Sequence, residues 1–331
     1  MDYKFFGRTG VKISPLCFGT MSFGGDADKK VSSEMFNLCR YSGINFFDCA
    51  NVYQAGTAEE YLGEFIRECR RDVVITTKAY FPTGKGVNDG GSTRKHIRHA
   101  VEDSLRRLRT DYIDIYFLHR FDDCTPLDET LSVLDDLVHQ GKVLYIGVSN
   151  FSAWQTQKTI GLASQHGYSR AQCIQPMYNL VKRQAEVEIF PQAQSEGLAV
   201  FPYSPLGGGL LSGKYSSSEQ PEQGRLITNA MYKTRYGLKE MEETAVRFKQ
   251  FAEEEGFHPV SLAIAWVASH PAVTAPIIGA RNTTQLRDCL NALDIDLSGG
   301  LREKISALSP EPAPATDRNE EKTPINYGVR K

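Results

Sequence analysis

Short apolar runs alternate with amphipathic stretches along almost the whole chain, and that alternation limits the fold more than any other feature. The runs occupy 15–19, 44–48, 73–78, 113–119, 143–149, 173–175, 198–203 and 275–279. Several are rich in Val, Ile, Phe and Tyr with little polar alternation, the pattern of parallel strands covered on both faces. Between them lie helical stripes. In 93–109 the apolar residues Ile97, Val101, Leu105 and Leu108 recur at spacings of four and three. Leu127, Leu131, Leu134 and Val138 repeat the rhythm, with Gly141 placed to end a helix, and Met241, Ala245 and Phe248 begin another. Strand–helix repetition with right-handed crossovers gives either an open doubly wound sheet or a closed barrel, and eight runs fit a (β/α)8 TIM barrel.

The segments 3–6 and 11–13, joined through 7–10, read as an N-terminal β-hairpin before the first barrel strand; periodicity alone does not say whether it plugs the barrel bottom. No Pro-, Gly- or Ser-rich boundary divides the chain, so 1–331 reads as one barrel domain. The tail from Pro310 is proline-rich and charged, which predicts a loop laid over the barrel mouth or a partly disordered end.

Composition excludes several classes. With 38 Lys and Arg against 40 Asp and Glu, the net charge of −2 lacks the basic excess of a nucleic-acid or membrane-surface binder. The run Arg106, Arg107 and Arg109 is flanked by Glu102 and Asp111 and reads as a solvated helix face. No stretch approaches the roughly 18 apolar residues of a membrane helix. Seven cysteines at irregular spacing, without CxxC or a secretory leader, predict reduced thiols and a cytoplasmic protein. His96 and His99 stand three apart, but no Cys or carboxylate cluster joins them, so they read as an exposed helical stretch and no metal is expected.

The informative residues are those that end the runs. Asp48, Lys78, His119, Asn150 (after Ser149), Gln175 and Tyr203 stand at six successive strand ends. In an α/β barrel those ends converge on the face that carries the active site. One such residue alone would read as a helix cap; six in succession predict a pocket, with Tyr53 in the loop five residues past Asp48. A phenol titrates near about 10, too high for an efficient acid or base near neutrality. A neighbouring ammonium lowers that value, a carboxylate holds the ammonium charged, and an imidazole opposite can hydrogen-bond a substrate oxygen. The set fits proton transfer to a carbonyl oxygen. It lacks the activated Ser or Cys of acyl transfer and the ligand cluster of a metal site.

A second signal follows the seventh run, in Tyr203-Ser-Pro-Leu-Gly-Gly-Gly-Leu-Leu-Ser-Gly-Lys-Tyr215. Glycines and serines after a strand offer backbone N–H groups to phosphates. Gly208 to Lys214 matches GxxxxGK, but Tyr215 stands where a P-loop needs Ser or Thr for magnesium. Nucleoside triphosphate hydrolysis is thereby disfavoured, and so is a Rossmann site, since no GxGxxG follows an early strand. Pyrophosphate binding remains, and the Tyr203 ring could stack on a flat nicotinamide.

These motifs, in this order, resemble the aldo-keto reductase superfamily. The resemblance runs from Gly7-Arg-Thr-Gly-Val-Lys-Ile-Ser and Phe18-Gly-Thr-Met-Ser-Phe-Gly24 through Phe47-Asp-Cys-Ala-Asn-Val-Tyr53, Thr76-Thr-Lys78 and Asp111-Tyr-Ile-Asp-Ile-Tyr-Phe-Leu-His119. It continues in Gly147-Val-Ser-Asn-Phe151, Gln175-Pro-Met-Tyr-Asn179, Tyr203-Ser-Pro-Leu-Gly, Leu262-Ala-Ile-Ala-Trp266 and Ile278-Gly-Ala-Arg281. It is strongest to the bacterial and plant-type branches that include the potassium-channel β subunits. The resemblance implies a barrel that binds NADP(H) without a Rossmann fold and acts on a small-molecule carbonyl or alcohol. It implies Asp48, Tyr53, Lys78 and His119 as a catalytic tetrad, and Gly19, Thr20, Met21 and Asp48 among the cofactor-binding residues. Ser149, Asn150 and Gln175 match the residues holding the carboxamide, and Tyr203 the stacking ring. Ser204, Pro205, Leu206, Gly208 and Lys214 match the pyrophosphate loop. Gly279, Arg281 and Gln285 match the segment at the 2′-phosphate, where Arg281 suits a phosphate through its forked donors. Asp288 and Cys289 stand where the family often has Glu-Asn; the lost amide predicts modest affinity for the adenine end. The resemblance also implies a second class, a regulatory nucleotide-sensing subunit with vestigial turnover.

Overall fold

A computed structural model of the chain describes residues 1–215, 224–298 and 300–324. The hairpin comes first, β1 (Lys4–Phe5) against β2 (Lys12–Ile13), antiparallel with Lys4 opposite Ile13. The eight parallel strands follow: β3 (Cys17–Gly19), β4 (Phe46–Asp48), β5 (Val74–Ala79), β6 (Ile113–Leu118), β7 (Val143–Ser149), β8 (Ala171–Gln175), β9 (Ala199–Val200) and β10 (Ile277–Ile278). Each pairs with its sequence neighbour from β3 to β9, and β10 returns to pair with β3. Closure is completed by the backbone: Thr274 N donates to Val200 O at 2.9 Å and Ile277 N to Pro202 O at 2.8 Å. The (β/α)8 barrel expected from the alternation is what forms, and all eight runs contain a strand.

The barrel bottom is plugged from the hairpin. Phe6 is fully buried, edge-on to Tyr145 at 5.2 Å and 5.7 Å from Phe201, which packs in turn against Phe46. Gly7 permits this with φ +52°, and a Cβ there would lie 2.9 Å from Ala199 N. Large side chains inside the ring need small neighbours: a Cβ on Gly147 would run into the Phe117 ring.

Outside the ring, the helix Arg94–Leu108 starts at Thr93, whose side chain accepts from His96 N, and buries Ile97, Val101, Leu105 and Leu108 as the stripe predicts. Leu127–His139 ends just before Gly141, at φ +70°. His96 and Arg107 depart from the exposed helix faces expected of them. His96 is buried, 3% exposed, together with Ile97 and Ala100 of the same helix, and of the two histidines only His99 faces solvent. Arg107 is not on a solvated face with Arg106 and Arg109; it turns inward to a buried carboxylate. All seven cysteines are free thiols. Among the described residues no helix is long and apolar enough to cross a membrane. Beyond Pro310 the described chain holds one short 3-10 turn, Asn319–Lys322, and 325–331 lie outside the described residues.

Candidate active site

The C-terminal ends of β4 and β5 bring two opposite charges together inside the barrel. Lys78 is wholly buried and Asp48 is 3% exposed. Lys78 Nζ donates to Asp48 Oδ1 at 2.7 Å, to Oδ2 at 2.6 Å and to the Cys49 carbonyl at 2.7 Å. Asp48 Oδ1 also accepts from Thr76 Oγ1 at 2.6 Å and Gln175 Nε2 at 2.9 Å. So many donors offset what burying a carboxylate costs. Burial, the largest single effect, would push the Lys78 ammonium down; Asp48 first, with Tyr53 and Cys49 adding to it, together hold the pKa above the usual lysine value.

Tyr53 lies in the loop after β4, half-buried, with Lys78 Nζ 5.3 Å from its ring centre. Burial pushes its phenol up to about 12; the Lys78 ammonium pulls it down, and the Asp48 carboxylate opposes that pull. The ammonium acts in the direction expected from the sequence, but desolvation is larger, so the phenol stays above its ordinary value. His119, after β6, sits edge-on to Tyr53 at 6.1 Å and to Phe81 at 4.9 Å. Burial, then the Lys78 charge, pushes its imidazole down to about 3, and its Nδ1 has no hydrogen-bond partner among the described residues. The ring is a neutral donor or acceptor at ordinary pH.

The later strand ends form a connected polar wall. Ser149 Oγ donates to the Gln175 carbonyl at 3.0 Å. Asn150 Nδ2 donates to the His119 carbonyl at 2.8 Å, and Asn150 Oδ1 accepts from Tyr203 Oη at 2.7 Å. Asn150 and Ser204 take φ +57° and +58°, and Gln54 and Ala55 are left-handed too, so four of the chain's non-glycine left-handed residues lie in these loops. Such conformations persist only where their surroundings impose them. On the opposite side, Thr20 N donates to Asp48 O at 2.8 Å, fastening the loop 19–21 to the tetrad. A Cβ on Gly19 would meet Ile277 at 2.9 Å.

The glycine loop follows β9 as a 3-10 turn, Gly207–Ser212, with Pro205 buried beneath it and Leu206 partly so. Gly208 has φ +68°, and a Cβ there would lie 2.7 Å from the Tyr232 ring, so only glycine fits. Lys214 is exposed, with Nζ 4.9 Å from the Tyr215 ring. Although the residue is exposed, its pKa is lowered, first by hydration lost against the neighbouring chain and then by two like charges, Arg281 and Arg225. Arg281 comes from the loop after β10 and pairs with Asp26 at 3.1 Å, both partly exposed. Its backbone N–H donates to Gln285 Oε1 at 3.0 Å, and Gln285 N donates to the helix cap Asn282. Gly279 is open to solvent. Asp288 turns its carbonyl to Ser261. Cys289 is buried, 1% exposed, its thiol on the Gly279 carbonyl, so its side chain stands behind the loop.

The structure therefore collects the sequence-derived residues into two linked groups, the tetrad with its amide wall and a cationic loop pair. Arg225 was missed: it lies beyond an irregular stretch where no periodicity or motif marks it. Asn51 was missed as well. It is 2% exposed, with both side-chain polar atoms unpartnered among the described residues, and only its place in the Asp48–Tyr53 motif could have pointed to it.

The sequence model described as the aldo/keto reductase family matches residues 15–308. An uncharacterised oxidoreductase of Bacillus subtilis is 37% identical over 96% of this chain and 98% of its own length. A probable voltage-gated potassium channel subunit beta of Arabidopsis thaliana is 36% identical over 89% of this chain and 92% of its own. A norsolorinic acid reductase of Emericella nidulans is 35% identical over 87% of this chain and 76% of its own.

Proposed function

The chain belongs to the aldo/keto reductase family, and on that premise we propose that it is an NADP(H)-dependent reductase of small-molecule aldehydes or ketones, with Tyr53 as the proton donor. The observation that carries the reading is the buried Lys78–Asp48 pair beside the Tyr53 ring, with neutral His119 facing it. The residues present suit the cofactor: Lys214, Arg225 and Arg281 repel one another where a phosphate would neutralise them, beside a left-handed glycine loop. Lys214 and the glycine loop would hold the pyrophosphate, Arg281 the 2′-phosphate, and Ser149, Asn150 and Gln175 the carboxamide. Bound there, the cofactor supplies the hydride. Tyr53 Oη gives its proton to the carbonyl oxygen as charge develops on it. Lys78 then steadies the phenolate, and Asp48 keeps Lys78 charged and aimed. His119 orients the same oxygen through a hydrogen bond. Phe81 beside His119, and Phe121 leading out to the exposed Trp154 at 5.7 Å, suit a carbonyl attached to a flat apolar body.

The protein works in the cytoplasm in this reading, where its thiols stay reduced, and its partner is the small carbonyl compound rather than nucleic acid or membrane. A panel of aldehydes and ketones, assayed with NADPH and with NADH, tests it: turnover of at least one carbonyl with NADPH is expected. The relatives named as channel subunits favour one rival, a nucleotide-sensing subunit. Tight NADPH binding with no turnover across the panel would replace the first reading with the second.

A further inference from the structure

Tyr53 is followed by a stretch of backbone that local forces do not favour. Gln54, Ala55 and Gly56 are successively left-handed, at φ +49°, +53° and +98°. For Gln and Ala this conformation brings Cβ against the following carbonyl oxygen. The turn must be held by what surrounds it, and the holding groups can be named.

On one side Gln54 Nε2 reaches the Met21 carbonyl at 3.4 Å and packs against Gly25, where a Cβ would lie 2.5 Å from it. On the other, the helix Thr57–Phe65 begins at the turn and carries Glu59 in its first turn, fully buried. Glu59 Oε2 accepts from Arg107 Nε at 2.6 Å, and Oε1 from Thr77 Oγ1 at 2.5 Å. Thr77 is the residue before Lys78. One carboxylate thus joins the turn that carries Tyr53, the strand that carries Lys78 and the end of the helix Arg94–Leu108. The Arg107 stem lies on Gly56, where a Cβ would meet its Cδ at 2.8 Å. Gly63, one helical turn beyond Glu59, lets the two helices touch backbone to backbone, its Cβ position 2.5 Å from Arg107 O.

We infer that Glu59 and Arg107 are positioning residues for catalysis: their buried pair fixes the left-handed turn and so sets where the Tyr53 hydroxyl stands relative to Lys78. Neither touches the tetrad, and none of the chemistry passes through them. The inference rests on the reductase reading. A buried pair retained only for stability would not need to hang on a strained turn next to the proton donor and on the strand of its ammonium partner.

The test uses the full chain with NADPH and a carbonyl that the wild type reduces. Four variants are compared for kcat, carbonyl KM, NADPH affinity and melting temperature: Glu59→Gln, Arg107→Met, Arg107→Lys and Ala55→Gly. A misplaced reacting group costs up to about 100-fold, so kcat should fall about tenfold or more in Glu59→Gln and Arg107→Met, with KM and NADPH affinity nearly unchanged. The primary isotope effect from deuterated NADPH should rise in both, because the chemical step becomes limiting. Arg107→Lys keeps the charge and should recover most of the lost kcat. Ala55→Gly accepts the left-handed backbone without strain, so it folds as well as the wild type; it loosens the turn and should lower kcat nonetheless. Variants that melt earlier but keep wild-type kcat and isotope effect per folded molecule overturn the inference, as does an undiminished kcat in Ala55→Gly. A wild type with no carbonyl turnover brings down the reductase reading and this inference with it.

Discussion

Lys78 has three N–H donors, and two Asp48 oxygens and the Cys49 carbonyl take all three. Its ammonium lies 5.3 Å from the centre of the Tyr53 ring and lowers the phenol first by charge and then by hydrogen bonding. Replacing Tyr53 by Phe keeps the ring and removes the transferable proton; general acid catalysis contributes about 10²–10⁴-fold, and kcat on a small aldehyde should fall by that order while NADPH affinity holds. Wild-type kcat in that variant, with chemistry rate-limiting, would assign the proton elsewhere. The pH dependence follows from the same groups. With Tyr53 raised to about 12 and His119 lowered to about 3, neither changes protonation between those values. The rate of the chemical step should be level through neutrality. Lys78→Met removes the one influence that lowers the Tyr53 phenol, so it should slow reduction at every pH without creating a neutral limb. An inflection near pH 7 in the wild-type single-turnover profile would mean that another group sets the acidity. The sequence pointed to residues that the structure brings together, but not to this balance. Which of two opposing effects wins depends on burial, and spacing along a chain does not carry burial.

At the scale of elements, strand ends were legible because each run stops at a polar residue, and the barrel geometry does the rest. Loops were less so. The glycine loop declared itself through its composition, whereas Arg225 sits past residues with no pattern. The triple-arginine run looked like solvent-facing helix until the structure turned Arg107 to a buried Glu59. Nothing in a stripe of period 3.6 says that a flanking position will find an interior carboxylate. The two cationic loops differ in what they could read. Lys214→Ala should weaken NADPH and NADH alike, since both carry a pyrophosphate. Arg281→Ala should weaken NADPH selectively, by about 1.5–3 kcal/mol, roughly tenfold or more. The exposed Asp26 pair that Arg281 makes now is worth little and is readily given up. Fluorescence titration of both cofactors decides it: equal losses on Arg281→Ala would remove that residue from the phosphate.

For the molecule as a whole, two partly buried imidazoles weaken the fold in acid. His119 and His270 are pushed down to about 3 and 4, chiefly by burial, and His270 Nδ1 accepts from Ala272 N at 3.1 Å, a bond that needs the unprotonated ring. The unfolded chain takes up those protons near 6.5, so stability is full above that pH and declines as pH falls toward 3. Melting temperatures from pH 7 to pH 4 should show the decline, and His270→Gln should make it shallower; an unchanged slope would shift the cause to other groups. The ring of strands is uneven as well. β5, β6 and β7 hold six, six and seven residues, while β9 and β10 hold two each and are bridged by a few backbone bonds from 274–277. Lys78 and His119 lie at the ends of long strands; Tyr203, Lys214 and Arg281 lie beyond the short ones. Amide protons around β9 and β10 should therefore exchange with solvent first, and a dinucleotide lying across that arc should slow them most. Cofactor loss and the first breach of the barrel would then be a single event, read as one exchange rate.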